Sequence, residues 1–305
     1  MMIKYTSIAL VGMATLFTTV GKAAPNGNPT IPGGVTQFFI ADFPPMSGNY
    51  AQFSSSYTTA ESAIDQNGDK KADIDLTVKA QTLRLMTVWD KKLLGADIVA
   101  SEMIGTYVDL DNTIYTPYTN IEIADSGLAD VLIEPLILQW NKGDRKQWKF
   151  VAGGGLVVPI GSYSKSHKAN VAAHYYSLAP RFAAKYQTQS GIEIGLSPMF
   201  NFNWENEDSN YRTGNELTLD YVINLKRNNW RYGITGFYYT QFEDDEQDGN
   251  TIANSKSEAF AVGPAIQHQF MNGKGPLVSA NWMKEIYSRN RSESDTFMLS
   301  VAVKF

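Results

Sequence analysis

Apolar and polar side chains alternate along much of this chain, in segments of about ten to fifteen residues. In the last segment, Phe297, Leu299 and Val301 fall on one face, while Ser300 and Ala302 fall on the other. A period of two residues is that of a β-strand, whose side chains point to opposite faces in turn. Repeated alternation is typical of a membrane β-barrel, in which one face meets lipid and the other lines the lumen.

The alternating segments number about twelve, and single-chain bacterial barrels have an even number of strands. Their centres lie near Phe53, Gln81, Ser101, Glu134, Gly154, Phe182, Ser197, Tyr221, Gly236, Gly263, Ala280 and Val301. We therefore predict an all-β fold, a closed, up-and-down antiparallel transmembrane β-barrel of about 12 strands in the bacterial outer membrane. A secreted β-sandwich or a lipocalin-like barrel would also alternate. In those folds the apolar faces point inward, yet here the opposite faces carry many charges of both signs, such as Glu193, Asp220 and Lys185, which suits a barrel with a polar interior better.

Short turns alternate with longer polar connectors, which predicts periplasmic turns and external loops. The short turns lie at residues 90–92, 141–144, 188–191, 227–229 and 271–274. With twelve strands both ends of the barrel face the periplasm, so residues 61–71 become the first external loop. Trp89, Trp148 and Trp230 flank short turns, where an aromatic belt is expected at the inner membrane interface.

The N-terminus divides into two further segments. Residues 1–23 have a basic start, a mildly apolar run and small residues before Ala24, as a secretory signal peptide does. Residues 24–46 would precede a barrel formed by residues 47–305. Within residues 31–47, Phe38, Phe39 and Phe43 give the segment enough apolar surface to plug the lumen. An unstructured periplasmic leader is the alternative.

Composition excludes several classes of partner and bond. The chain has no cysteine, so it contains no disulfide and no acylated cysteine anchor. The net charge of −5 argues against a nucleic-acid partner, because phosphates require a basic face.

Several stretches carry a resemblance to a known family. They are Gly127-Leu-Ala-Asp130-Val-Leu-Ile-Glu134-Pro135, then Trp140, then Gly153-Gly154-Gly155-Leu-Val-Val-Pro159-Ile-Gly161-Ser-Tyr163, then His174-Tyr-Tyr-Ser-Leu-Ala-Pro180. The sequence resembles the MetA-pathway phenol-degradation family of outer-membrane barrels, although Ile160 stands where that family often has threonine. The resemblance implies passive transport of small hydrophobic or aromatic compounds, with no enzymatic activity.

Alternation also selects candidate residues of the lumen. Charged positions on the inner face could orient a solute: Arg181, Lys185, Arg231, Asp130, Glu134 and Glu193. If Glu134 faces the lumen, regular alternation places Leu132, Leu136 and Leu138 there too, which gives an apolar stripe beside the charges. Arg84 and Glu102 break the phase of their segments, and a β-bulge would restore it.

A possible calcium loop occurs between the first two segments. Its candidate ligands are oxygen-bearing residues at alternate positions: Asp65, Asn67, Asp69 and Asp73. A solvated external loop is the alternative, and we predict no other cofactor.

Two other functions remain open. A lipid hydrolase would need a serine and a histidine, and only His167, His174 and His268 are available. A structural or adhesive barrel that conducts nothing would result if salt bridges closed the lumen. The expected partners are outer-membrane lipid, lipopolysaccharide, a small hydrophobic solute and the barrel insertion machinery, which would read the last strand ending in Phe305.

Overall fold

The computed structural model describes residues 28–271 and 275–305. The predicted signal peptide, residues 1–23, lies outside the described residues. Among those that are described, no helix is long and apolar enough to cross a membrane.

The described residues form sixteen β-strands and a short 3-10 helix at Gln37–Phe39. In chain order the strands are β1 Gly48–Ile64, β2 Lys70–Trp89, β3 Ile98–Tyr115, β4 Asn120–Leu128, β5 Val131–Lys142, β6 Trp148–Val158, β7 Ser177–Gln187, β8 Ile192–Asn203, β9 Tyr211–Arg212, β10 Glu216–Arg227, β11 Trp230–Gln241, β12 Glu246–Gln247, β13 Asn250–Thr251, β14 Glu258–Gln269, β15 Leu277–Arg289 and β16 Ser292–Lys304.

The long strands form a closed antiparallel barrel with twelve strand positions, which confirms the predicted fold. β4 and β5 share one position, because β4 pairs with the second half of β3 and β5 pairs with its first half. β1 pairs with both β2 and β16, and β2 also pairs with β3, so the ring of strands is closed. A closed ring satisfies the backbone hydrogen bonds within the wall, as a span through lipid requires.

The alternation seen in the sequence separates the outer surface from the lumen. Along β8, Ile194 and Leu196 are exposed on the outside, whereas Glu193, Ser197 and Asn201 are buried inside. The same arrangement holds in β7, β10 and β16. Since the outward face is apolar, the barrel presents a lipid-compatible surface.

One end of the barrel carries the short turns and both ends of the barrel chain. The β10–β11 turn has two residues, 228–229, and Phe305 donates its backbone N–H to Asn49 at the same end. Exposed Trp89, Trp148 and Trp230 lie beside turns there, as predicted for an aromatic belt. We call this the periplasmic end, and the opposite end the outer end.

The first outer loop is shorter than the sequence indicated. Residues 61–71 are mostly strand, because β1 continues to Ile64 and β2 begins at Lys70. The longer outer connectors are residues 159–176, 204–215 and 242–257, and the last two carry β9, β12 and β13, which pair in a small separate sheet.

Bulges alter the phase of several strands, among them β3 and β5. The register of β3 against β5 shifts between Ala100 and Glu102, and Glu102 is buried inside, as the predicted bulge requires. The register of β5 against β6 shifts between Ile133 and Leu136. This second bulge turns Leu136 outward, so the continuous inner stripe expected from regular alternation is wrong beyond Glu134.

Candidate functional site

The lumen of the barrel contains residues 30–47, which we call the lumen segment. Its side chains Phe38 and Ile40 are each only 1% exposed, and they pack against inward-facing residues of the wall such as Ile137, Val151 and Val222. The segment forms no strand of the barrel, so the wall closes without it.

At the outer end, two wall carboxylates hold the start of the lumen segment. The backbone N–H and hydroxyl of Thr30 donate to Glu216, at 2.9 and 2.7 Å. The backbone N–H of Gly34 donates to Asp220 at 2.7 Å, and the hydroxyl of Thr36 donates to Asp220 at 2.6 Å. Four hydrogen bonds from residues 30–36 to these two carboxyl groups fix the depth of the segment in the lumen.

Nearer the periplasmic end, Asp42 of the lumen segment meets three cations of the wall. Its carboxylate pairs with Lys149, lies 2.6 Å from Arg231 and lies 3.6 Å from Lys185. Glu193 completes the group through a 2.8 Å contact with Arg231. We call these five residues the Asp42 latch.

The charges of the latch keep Asp42 ionised. Burial opposes ionisation of its carboxyl, but the positive charges of Lys185, Arg231 and Lys149 outweigh this effect and hold the pKa of Asp42 well below its ordinary value of 3.8. The latch therefore retains its negative charge at neutral pH.

A second group of charges surrounds the next aromatic residue of the segment. Arg84 on β2 makes a bidentate pair with Glu102 on β3, at 2.6 to 2.9 Å. Arg181 on β7 lies 3.0 Å from Glu134 and 3.5 Å from Glu102. Both guanidinium groups face the ring of Phe43. We call the four wall residues the arginine clamp.

The backbone of the lumen segment is shaped to follow the lumen. Gln37 and Ala41 adopt positive φ values of 45° and 47°, a region that residues other than glycine rarely enter. Gln37 is buried, donates to Asn281 at 2.6 Å and accepts from Ser279 at 2.6 Å. Wall contacts therefore compensate the backbone strain at Gln37.

Five of the six lumen residues chosen from the sequence lie inside the barrel around the lumen segment. Arg181 and Glu134 belong to the arginine clamp, whereas Lys185, Arg231 and Glu193 belong to the latch. The structure thus brings them into two groups. Whether they bind a solute stays a prediction.

Asp130 has a different position. It lies between β4 and β5, where its carboxylate accepts the backbone N–H of Gly161 at 3.1 Å and that of His174 at 2.7 Å. Asp130 therefore anchors both ends of the outer loop of residues 159–176.

Sequence reasoning missed Asp42 and gave Arg84 and Glu102 no functional role. Asp42 lies in a segment with no periodicity, so no pattern indicated its direction. The useful signal was its isolation, because it is the single charged residue between positions 28 and 47. Burial of such a residue requires a partner.

The predicted calcium loop is the turn between β1 and β2. The backbone amides of Asn67 and Asp69 donate to the Asp65 carboxylate at 2.8 and 3.0 Å and hold its pKa below the ordinary value. Asp73 lies on β2 and pairs with Lys70. Across residues 28–271 and 275–305, no cluster of three or more acidic, histidine or cysteine side chains has the arrangement of a metal site. Calcium binding by this loop stays a prediction, which protection of the loop from proteolysis by added calcium would test.

The histidines of the outer loops pair with aspartates. His167 lies 3.3 Å from Asp125, and His174 lies 3.3 Å from Asp208. In the described part of the chain, neither imidazole forms a hydrogen bond with a serine hydroxyl. The geometry gives no support to a serine hydrolase.

The comparison with protein families gives a match over most of the chain. The family described as "Putative MetA-pathway of phenol degradation" matches residues 60–301. The chain belongs to this family. The match confirms the resemblance drawn from the sequence. No curated protein matches the chain.

Solved structures share the fold. The COG4313 outer membrane channel from Pseudomonas putida F1 superimposes with a TM-score of 0.73 and 14% identity, over 86% of this chain and 97% of that one. The transport unit of the autotransporter AIDA-I from Escherichia coli gives a TM-score of 0.53 and 7% identity, over 89% and 95% of the two chains. Together with the apolar outer surface, the closed barrel identifies this family member as a bacterial outer-membrane protein.

Proposed function

We propose that this protein is an outer-membrane channel for the passive uptake of small hydrophobic or aromatic compounds, in which the lumen segment is a movable plug. In this proposal residues 1–23 are the signal peptide, residues 24–46 contain the plug, and residues 47–305 form the barrel. The carrying observation is an apolar segment that occupies the lumen without joining the wall.

The attachment of the lumen segment favours movement. It continues directly into β1 at Gly48, but elsewhere it is held by side-chain contacts rather than by strand pairing. No disulfide fixes it, because the chain has no cysteine. Its release would therefore leave the hydrogen-bond ladders of the barrel intact.

The inner wall suits an amphipathic solute. Leu132, Val157, Ala179 and Met199 form an apolar cluster on the wall, and Ile31 of the lumen segment packs against it. The charges of the clamp and the latch lie in the same lumen. An apolar surface with a few placed polar groups is typical of small-molecule sites. The family description and the Pseudomonas putida channel support transport of such a compound.

A reversible disulfide lock tests the plug. A Cβ atom added at Gly195 would lie 3.3 Å from the Cβ of Ile40, close to the separation found in disulfides. We expect the double variant Ile40→Cys with Gly195→Cys to show no single-channel conductance in planar bilayers when oxidised. Reduction should restore the conductance of the two single-cysteine variants, which serve as controls because the chain has no other cysteine.

Equal conductance of the oxidised and reduced double variant would contradict the plug. An aromatic compound such as phenol should lower the current amplitude of the open state in the reduced form, whatever its effect on the open fraction, if it shares the path, whereas an inert sugar of similar size should not. Absence of current in every variant, with a folded barrel shown by heat-modifiable gel migration, would contradict the channel.

A non-conducting structural barrel is the second candidate. The observation that favours it is the density of ion pairs across the lumen, in the clamp and in the latch. The same experiment separates the two, because a structural barrel has no conductance for reduction to restore.

Assembly in the membrane gives further proposed partners. Phe305 ends the apolar outer face of β16, and we propose that the insertion machinery recognises this strand. Lipid would cover the outer face, and lipopolysaccharide would contact the outer loops. Truncation of Phe305 should then slow membrane insertion without altering the conductance of inserted molecules.

A further inference from the structure

The ring of Phe43 is faced by two guanidinium groups. Its centroid is 5.9 Å from the guanidinium carbon of Arg84 and 5.8 Å from that of Arg181. Phe43 is 8% exposed, and its backbone N–H donates to the side chain of Gln139 at 3.0 Å. Attraction between a cation and an aromatic ring is strongest where water is excluded, as it is here.

The wall holds both arginines without help from Phe43. Glu102 binds Arg84 through two oxygens, and Glu134 pairs with Arg181 at 3.0 Å. These residues stand on β2, β3, β5 and β7, so four hydrogen-bonded strands fix their positions. The arginine clamp is thus a preformed receptor for an aromatic ring, and Phe43 is its present occupant.

The clamp has polar capacity that Phe43 does not use. In the described residues, Nε of Arg181 is buried without a hydrogen-bond partner, whereas the Glu134 carboxyl group contacts Nη2 of Arg181 at 3.0 Å and hydrogen-bonds with Glu102. A phenylalanine ring can neither donate to nor accept from these atoms. A ring with a hydroxyl group can accept from a guanidinium and donate to a carboxylate. Buried polar groups favour a ligand that satisfies them.

We propose that the arginine clamp is the binding site for a phenol-type aromatic ring, that Phe43 occupies this site in the absence of solute, and that solute binding displaces Phe43 and releases the lumen segment. This inference rests on the proposed channel function. It identifies the substrate class as hydroxylated aromatics and makes the substrate itself the opening signal. Asp42 precedes Phe43 directly, so displacement of the ring strains the latch as well.

A matched phenylalanine separates this role from packing. Phe38 lies in the same segment and is buried to a similar degree, but within the described residues no cation faces its ring. Phe43→Ala and Phe38→Ala therefore remove the same side chain from two environments, one with guanidinium groups and one without. Both variants are checked for folding by heat-modifiable gel migration.

Binding of three small molecules of similar size compares the two environments. p-Cresol has a ring and a hydroxyl, toluene has the ring alone, and methylcyclohexane has neither. Calorimetry gives the affinity of each molecule for Phe43→Ala and for Phe38→Ala. The ratio of these two affinities does not depend on how strongly the molecule partitions into detergent, because that partition is the same for both variants. We expect this ratio to be about tenfold higher for p-cresol than for methylcyclohexane, with toluene between them. Equal ratios for all three would overturn the binding site.

Displacement is tested with Phe43 in place. Ile40→Cys carries a single thiol at a position that is 1% exposed. We expect p-cresol to accelerate its modification by a maleimide several-fold, and methylcyclohexane to leave the rate unchanged. Adding Arg181→Lys, which keeps the charge but removes the planar guanidinium, should abolish the acceleration. An unchanged rate with p-cresol would overturn displacement.

The outcome for the arginine clamp can be distinguished from the outcome for the proposed channel. A disulfide lock that controls conductance, combined with equal ligand ratios, would leave the channel standing and reject the clamp. A higher affinity ratio for p-cresol, combined with a conductance that the disulfide lock does not change, would support the arginine clamp as a binding site and reject the channel.

Discussion

Asp42 illustrates how one residue can control the docking of a whole segment. It is the single carboxylate of the lumen segment, and it faces Lys149, Lys185 and Arg231. Removal of its charge would leave three cations with Glu193 as the remaining acidic member of the latch. Breaking a buried ion pair on one side is costly, because the other charges lose their partner.

We therefore expect Asp42→Asn to weaken docking of the lumen segment by about 3 kcal/mol. The measurable result is a higher open fraction in single-channel recordings, with increased selectivity for anions. Asp109→Asn is a control, because Asp109 is an exposed carboxylate at the outer end of β3. An open fraction equal to that of the unmodified protein would contradict the role of the latch.

The pH dependence of the latch follows from the same charges. The pKa of Asp42 is lower in the folded protein than its ordinary value of 3.8, so its contribution to docking is fully present above that value. The contribution is lost as pH falls through the lowered pKa. We expect the open fraction to rise as pH falls below about 4, and Asp42→Asn to lack that acid limb. The two proteins share every other titratable group of the lumen, so an acid limb of equal size in both would contradict the prediction.

At the scale of elements, alternation in the sequence predicted the two faces of the lipid-facing strands, but it did not predict the path of irregular segments. The faces of β7 and β8 follow from alternation because lipid covers one side of each strand and the lumen lies on the other. β5 departs because the bulge near Pro135 inverts its phase, and residues 136–138 are all apolar, so no charged side chain marked the break as Glu102 did in β3. The lumen segment docks through contacts with distant strands, so its path was outside the reach of local pattern.

Gly155 on β6 lies where the neighbouring strand β5 leaves no room for a side chain. A Cβ atom there would meet the backbone oxygen of Ile133 and would lie 2.8 Å from Cγ of Glu134. At Gly105 on β3, the nearest atom, on Val131, would be 4.0 Å away. The two glycines thus differ in the space beside them.

We expect Gly155→Ala to lower the free energy of unfolding by about 2 kcal/mol, because the backbone of β5 must move. Gly105→Ala should leave it unchanged or slightly higher, since alanine loses less chain entropy on folding. Denaturant unfolding in the same lipid vesicles compares them. Equal free energies of unfolding for the two variants would show that the backbone of β5 moves without loss of stability.

At the scale of the whole molecule, the barrel and the lumen segment have separate sources of stability. Pairing of β1 with β16 closes the ring over thirteen residue pairs, and this ladder does not include the segment. The segment contributes apolar burial and the contacts of Asp42, Thr30 and Gly34. A mutation can therefore weaken the docking of the lumen segment without lowering the stability of the barrel wall.

We expect a chain that keeps its signal peptide but lacks residues 24–46 to fold and insert. Water would enter the vacated lumen and hydrate Glu216, Asp220 and the latch cations, which reduces the cost of losing their partners. Such a barrel should conduct steadily, and p-cresol should no longer alter its open fraction, because the released element is gone. A barrel that folds yet stays closed would place the barrier in the wall or the outer loops, and failure to fold would show that the lumen segment is part of the core.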